Sequence, residues 1–169
     1  EANFAEVDRK AVKLLSNLRK RTAWNTGDKT GRPDTTAEIP QAGISLSIPD
    51  GYEEKALGGD DSNSFVKRYA SADNLSTINV AVLPLDGKTE REAAEEWLGR
   101  LGKTTVRSSA GKNSIGSFYW NISKDEHRNV TESMAVARGE RLLIITGETS
   151  KERYPFFKER ISAVFKSAK

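Results

Sequence analysis

The sequence of 169 residues contains no cysteine, one methionine and one histidine, His127. The lack of cysteine excludes disulfide bonds, thiolate metal ligands and a cysteine nucleophile. It leaves the compartment open, because a cysteine-free chain suits a periplasm as well as a cytosol. Long apolar runs are also missing: the longest comprises residues 142–145, far short of the ~20 residues that a transmembrane helix needs. The 36% hydrophobic fraction nevertheless suffices for the core of one globular domain.

The sequence begins at Glu1-Ala2-Asn3 without a methionine, as either a processed mature chain or a shortened one would. We therefore expect an extracytoplasmic protein, periplasmic or secreted and bacterial, from which a signal peptide has been removed. A cytoplasmic location is the alternative.

Positive charge is concentrated near the N-terminus. Residues 9–32 carry eight bases and one acid, whereas residues 33–169 carry 19 bases and 20 acids. Residues 3–21 predict an amphipathic helix, since apolar residues recur there at spacings of three and four. A polar linker over residues 25–42 follows. We accordingly divide the chain into an N-terminal helix and linker, residues 1–42, and an α/β domain, residues 43–169.

The basic stretch is the candidate partner-binding site, and its interpretation has two alternatives. It would attach the protein to an anionic membrane surface or to an acidic partner protein, or it is the solvated face of a helix packed on the domain. Nucleic acid is disfavoured because no recognition motif accompanies the charge. The candidate residues are Lys10, Lys13, Arg19, Lys20, Arg21, Trp24, Lys29 and Arg32.

Period-two patterns from residue 43 onward predict strands separated by turns rich in glycine, proline and asparagine. The turns are expected at residues 49–51, 58–63, 84–87, 111–113, 124–128 and 139–140. The strands are expected at residues 44–48, 64–70, 77–83, 104–108, 114–123, 129–138 and 141–146.

Two helices are predicted in the same region. Thr89 and Glu92 form a capping box for a helix that ends near Leu101. The second is expected to be capped by Thr149, with Glu152 three residues on, and to bury the residues Tyr154, Phe157, Ile161, Val164, Phe165 and Ala168. Runs of strands with helices between and after them predict an α+β fold, a mostly antiparallel sheet covered by helices. Trp97, Phe118 and Trp120 are expected in its core.

This order of elements resembles the PsbP-like superfamily, which includes the photosystem PsbP proteins, the Ran-binding Mog protein and the bacterial DcrB-like envelope proteins. The similar segments are Gly43–Tyr52, where Tyr52 replaces the more usual tryptophan, Glu92–Leu101, and Arg141–Thr146 with the helix that follows and ends near Phe165–Ser167. The resemblance covers residues 43–169. It implies an α/β/α sandwich and a non-catalytic binding or assembly protein, often outside the cytoplasm in bacteria.

Catalytic and metal-binding patterns are weak. A hydrolase using His127 would need a nucleophile nearby, and no Gly-x-Ser-x-Gly motif is present. Asp125, Glu126 and His127 are consecutive in a charged turn and poorly spaced to share one metal ion. Residues 60–63 resemble a calcium loop only in composition. The acids Glu92, Glu95 and Glu96 fit the solvated face of a helix better than a catalytic pair.

The sequence also contains no phosphate-binding motif. We therefore expect no cofactor, no metal and no enzymatic activity. The predicted function is a binding or assembly module of the bacterial cell envelope. The alternatives are an adaptor acting through residues 9–32 and a small hydrolase using His127.

Overall fold

The computed structural model of the chain describes residues 34–59 and 64–169. The described elements are β1 (Thr35–Ile39), β2 (Ile44–Ile48), β3 (Tyr52–Glu54), β4 (Lys67–Ser71), β5 (Ser76–Pro84), α1 (Glu90–Arg100), β6 (Thr104–Asn113), β7 (Gly116–Lys124), β8 (Val130–Arg138), β9 (Arg141–Thr149) and α2 (Tyr154–Ser167). Seven of these strands form one sheet in the order β3-β4-β5-β9-β8-β7-β6, with every neighbouring pair antiparallel. The predicted antiparallel sheet with helices is confirmed.

Strands β1 and β2 form a separate hairpin, which shares one core with α2 and one face of the sheet. Leu46 of β2 and Ile161 of α2 are both fully buried there. The chain after α2 is joined to β2, because Ser45 N donates a hydrogen bond to Lys169 O at 3.2 Å and Lys169 N donates back to Ser45 O at 3.3 Å. The hairpin is thereby held in place beside the sheet.

Helix α1 covers the opposite face. Its start is the predicted capping box: the Thr89 hydroxyl accepts a hydrogen bond from Glu92 N, and the Glu92 carboxylate accepts one from Thr89 N. Trp97 and Leu98 are buried against the sheet, and Phe65 lies edge-on to Trp97 with ring centroids 5.6 Å apart. Helices on both faces produce the α/β/α layering that the resemblance implied.

The structure differs from the prediction at β1, which lies inside the segment interpreted as a linker. Ala37 and Ile39 of this strand are buried, and Ala37 pairs with Leu46 of β2. The two apolar residues between Pro33 and Pro40 are too few to indicate a strand, and only pairing with β2 stabilises one. Residues 25–33 of the predicted linker, the predicted helix of residues 3–21 and residues 60–63 lie outside the described residues.

The turn between β6 and β7 was predicted three residues too early. Strand β6 continues through Gly111, and the chain turns at Ser114 and Ile115, where Asn113 Oδ1 accepts a hydrogen bond from Ile115 N at 3.1 Å. Gly111 is in a strand because the ring of Phe118 fills the space of a side chain: an added Cβ would lie 2.4 Å from Phe118 Cζ.

The predicted start of α2 was also wrong. The helix begins at Tyr154 after Arg153, without a side-chain cap. The Thr149 hydroxyl is instead engaged at the end of β9, where it lies 2.9 Å from Ser76 Oγ and donates to Leu75 O at 3.2 Å. The local pattern predicted that the Thr149 hydroxyl caps the helix, but this hydroxyl forms tertiary contacts with Ser76 and Leu75 instead.

Trp97 is buried as expected, but Phe118 and Trp120 are only half-buried. The more buried face of β7 is the opposite one, which carries Tyr119 and Asn121. The reason is the position of the helices: α2 packs on β2, β8 and β9, whereas α1 packs on β6 to β9.

Candidate ligand-binding cleft

A cleft of about 540 Å³ lies between the β1–β2 hairpin and the β3 end of the sheet. Strands β1 and β3 border it, and the turn at residues 49–51 closes it. It falls within the 300–1,000 Å³ range that is typical of ligand pockets. The lining residues are Thr35, Thr36, Ala37, Glu38, Ile48, Pro49, Asp50, Gly51, Tyr52, Glu53, Glu54, Lys67, Tyr69 and Ala72.

The deeper lining of the cleft is apolar and aromatic. Ala37, Ile48, Tyr52 and Tyr69 are all buried. The pleat of the hairpin places Ala37 and Ile48 on its inner side, and the Tyr52 ring lies 6.5 Å from that of Phe157 in α2. These side chains belong to the main core, so the cleft has a rigid floor.

The lining carries four carboxylates, on Glu38, Asp50, Glu53 and Glu54, and one base, Lys67. The ammonium of Lys67 pairs with Glu54. Outside the cleft lining, Lys55 pairs with Glu53 at 3.1 Å, a bridge whose side chains are 39% and 72% exposed. Such exposed pairs are weak and easily exchanged. Carboxylates outnumber bases by four to one among the described lining residues.

Asp34 holds the turn that closes the cleft. Its carboxylate accepts hydrogen bonds from Ser47 Oγ and from the backbone N–H of Asp50, both at 3.2 Å. A further acid therefore stands beside the cleft in a structural role.

The Tyr69 hydroxyl is a neutral donor at ordinary pH. Burial, and then the nearby carboxylate of Glu54, raise the pKa of Tyr69 to about 12. A phenol of this kind donates a hydrogen bond and does not act as a base at neutral pH. The chemistry of the cleft is thus carboxylates and aromatic rings, which together suit a cation.

His127 is not brought to any nucleophile among the described residues. Its side chain is 77% exposed, and its Nε2 lies 3.4 Å from Glu126 Oε1. Asp125 lies elsewhere in the turn, where its carboxylate accepts hydrogen bonds from Lys103 Nζ at 3.2 Å and from Asn129 Nδ2 at 3.0 Å. The three consecutive side chains do not converge, and no group of three metal-ligating residues occurs in the part of the chain that the structure describes.

The acids of α1 are engaged in structural contacts. Glu92 completes the capping box, and Glu96 pairs with Lys88 and Arg100. Glu95 was interpreted as a solvated acid, but its carboxylate accepts a hydrogen bond from the Tyr119 hydroxyl at 2.6 Å. This contact joins α1 to β7.

One buried carboxylate escaped the sequence analysis. Glu132 of β8 is 3% exposed and accepts hydrogen bonds from Trp120 Nε1 and from the Tyr154 hydroxyl, both at 2.8 Å. Burial and the contact with Glu132 raise the pKa of Tyr154. Nothing in the local sequence marks this cluster, because its members come from β7, β8 and α2.

The acidic cleft was not predicted either, although a signal for part of it exists. Residues 50–54 contain three acids, which follow the turn at Pro49-Asp50-Gly51. Pairing of β3 with β4 brings Tyr69 opposite Glu54, and this contact depends on the sheet. The eight candidate residues between Lys10 and Arg32 lie outside the described residues, so their proposed role stays a prediction.

No protein-family model matches the sequence, and no curated protein is similar to it in sequence. The structure is similar to the solution structure of cyanobacterial PsbP (CyanoP) from Synechocystis sp. PCC 6803, with a TM-score of 0.65 at 12% identity, over 83% of this chain and 94% of that one. It is also similar to the crystal structure of LpqN, involved in cell envelope biogenesis of Mycobacterium tuberculosis, with a TM-score of 0.50 at 11% identity, over 83% and 86%.

These likenesses establish the PsbP-like fold that the sequence resemblance implied. Identities this low carry the fold alone. None of the described helices is long and apolar enough to cross a membrane.

Proposed function

We propose that this chain is a non-enzymatic binding module of the bacterial cell envelope, and that its cleft holds a cationic segment of a partner protein. The observation that carries the proposal is the combination of four carboxylates with a buried aromatic floor in one cleft. Lysine and arginine side chains have an apolar stem and a charged head, so they match both parts of such a surface.

The electrostatics favour recognition over chemistry. Complementary charge accelerates encounter and selects partners, and the exposed bridges at Glu53 and Glu54 can be exchanged for a partner's bases at little cost. Catalysis would require a base or nucleophile aimed at a bound group. Among the described residues of the lining the candidate bases are the carboxylates, of which Glu53 and Glu54 are paired with lysines, and the phenol of Tyr69 stays protonated.

The envelope location is supported by the likeness to LpqN, which is named for cell envelope biogenesis. It predicts that fractionation of the native cells recovers the protein outside the cytoplasm. Recovery in the cytosolic fraction would contradict the proposed location in the cell envelope, but it would not test the proposed binding role.

The binding role is tested with a synthetic hexa-arginine peptide as the cationic probe, by calorimetry and by amide NMR shifts on the full chain. A variant with Glu38→Gln, Glu53→Gln and Glu54→Gln should bind the peptide roughly tenfold more weakly, because the carboxylates of the cleft are removed. The NMR shifts should be centred on β1, β3 and Tyr69.

The matched control carries Glu126→Gln, Glu140→Gln and Glu159→Gln. These three acids are exposed and lie outside the cleft, and the change in net charge is the same. Its affinity should stay within about twofold of the parent. Equal weakening in both variants would show that net charge alone attracts the peptide, and the cleft would lose its assignment.

A further inference from the structure

Strand β6 is the last strand of the sheet at the end opposite β3, so one of its two edges has no partner strand among the described residues. It is ten residues long, and eight of these are exposed. The backbone N–H and C=O groups on a free edge are a template for a further strand. An edge of this length normally carries protection against unwanted pairing.

The protection on β6 is confined to its ends. The register with β7 slips between Thr105 and Arg107, which leaves Val106 in a bulge with 58% of its surface exposed. Lys112 lies near the other end. Between them, residues 107–111 pair regularly with β7, and after Arg107 this stretch contains only the small residues Ser108, Ser109, Ala110 and Gly111. A strand added here would meet an edge without a bulge or a bulky side chain after Arg107.

The neighbouring strand supplies an apolar surface behind these small residues. Gly111 is opposite Phe118 and Ser109 is opposite Trp120. The ring of Phe118 reaches across Gly111, since a Cβ at that glycine would lie 2.4 Å from Phe118 Cζ. Phe118 and Trp120 are half-buried, so part of each ring remains available. An apolar side chain on an added strand would contact the Phe118 ring above Gly111.

The charge of this end of the sheet is uniformly positive. Residues 104–124, which form the β6–β7 hairpin, contain three bases, Arg107, Lys112 and Lys124, and no acid. Arg107 is exposed and forms no ion pair with a carboxylate among the described residues. Burial and the contact with Glu132 raise the pKa of the Tyr154 hydroxyl, and the nearby guanidinium of Arg107 opposes this rise. An acidic segment is the complementary occupant.

We propose that the free edge of β6, at residues 107–111, binds an extended acidic segment of a partner protein as an additional antiparallel strand. The carboxylate of the segment pairs with Arg107, and an apolar side chain packs on Phe118. Antiparallel pairing places the apolar residue four positions before the acid, because Gly111 and Arg107 are four residues apart on one face. This surface is at the other end of the sheet from the cleft, so this proposal can be tested independently of the proposed function of the cleft.

The probe is the peptide Thr-Leu-Thr-Ser-Thr-Glu-Thr, acetylated and amidated, titrated into the full chain with NMR and calorimetric detection. Amide shifts should be confined to β6 and to residues 118–122 of β7. The Arg107→Glu variant should bind roughly tenfold more weakly. The control Lys151→Glu, an exposed residue with the same charge change, should stay within about twofold.

A second control separates strand addition from simple side-chain contact. The same peptide with N-methylated backbone amides on its pairing side keeps every side chain but cannot form the ladder, and it should not bind. Binding of the N-methylated peptide, equal weakening by both charge variants, shifts at the cleft, or no binding of the probe at millimolar concentration would each overturn the proposal. Concentration-dependent dimers that Arg107→Glu abolishes would replace the acidic partner with a second copy of the chain.

Discussion

Glu132 shows how a single buried residue is made compatible with the core. Its carboxylate is 3% exposed, yet Trp120 Nε1 and the Tyr154 hydroxyl both donate to it at 2.8 Å. Removing either donor would leave a buried carboxyl oxygen of Glu132 short of a hydrogen bond, and an unsatisfied buried polar group is costly. The cluster therefore joins β7, β8 and α2. The hydrogen bonds to Glu132 also explain why the side chains of Trp120 and Tyr154 are partly buried.

Gly147 is the residue that lets α2 approach the sheet. An added Cβ would lie 2.5 Å from Ile161 Cγ1 and 2.6 Å from Phe157 Cε1. We expect Gly147→Ala to reduce the free energy of unfolding by about 1–3 kcal/mol, since an overpacked core must shift. Urea denaturation measures the change.

Gly99 of α1 provides the control for that substitution. No atom lies within 4 Å of a Cβ built at Gly99, and the residue is inside a helix. Gly99→Ala should therefore stabilise the protein by about 0.5–1 kcal/mol. If the two alanine variants behaved alike, the close packing of α2 on β9 would be contradicted.

At the scale of elements, a helix or strand was predicted correctly where the sequence signal for it lies within the element itself. The capping box and apolar stripe of α1 are complete within residues 89–101, and the helix was predicted almost to the residue. The start of α2 was predicted wrongly, because the Thr149 hydroxyl bonds to Ser76 and Leu75. Strand β1 was not predicted, because it is stabilised by pairing with β2, which lies across a turn.

The end of α1 is tied to the sheet by Lys103, whose side chain is 8% exposed. Its ammonium lies 3.2 Å from Asp125 Oδ2 and 2.8 Å from Glu148 Oε2. Burial of Asp125 opposes its ionisation, but hydrogen bonds from the side chain and backbone of Asn129, together with Lys103, outweigh this and lower the pKa of Asp125.

This network predicts a pH dependence of stability. A carboxylate whose pKa is lowered by folding stabilises the folded state above its unfolded pKa of about 3.9, and loses that effect as the pH falls through its folded pKa. The wild type should therefore be more stable than Asp125→Asn at pH 6, and the difference should shrink as the pH falls below about 4. Urea titrations at several pH values measure it. A difference independent of pH would contradict the ion pair.

At the scale of the whole molecule, the two ends of the sheet carry opposite charge within residues 34–59 and 64–169. The acidic cleft adjoins β3 at one end, and the acid-free β6–β7 hairpin forms the other. Seven strands spaced about 4.8 Å apart separate these ends by roughly 29 Å. The two proposed binding surfaces are therefore far enough apart for a cationic segment at β3 and an acidic strand at β6 to bind at once.

The residue pattern of the whole chain explains how its fold can be similar to that of cyanobacterial PsbP at 12% identity. Alternation along the strands and two amphipathic helices specify a helix-covered antiparallel sheet with many different residues. The surfaces are under no such constraint, and the charges of the cleft and of β6 belong to this chain's own sequence. A shared fold therefore leaves the choice of partner to these surfaces.

The sequence by itself determined the features that depend on near neighbours: the antiparallel sheet, the capped helix α1, the buried stripe of α2 and the charged turn at residues 124–128. Only the tertiary structure decided which distant groups meet, because sheet order and helix placement set those distances. It brought Tyr69 beside Glu54, Lys103 to Asp125 and Glu148, and placed β6 at an edge. Both proposed binding surfaces arise from such long-range placement, which periodicity and local charge do not encode.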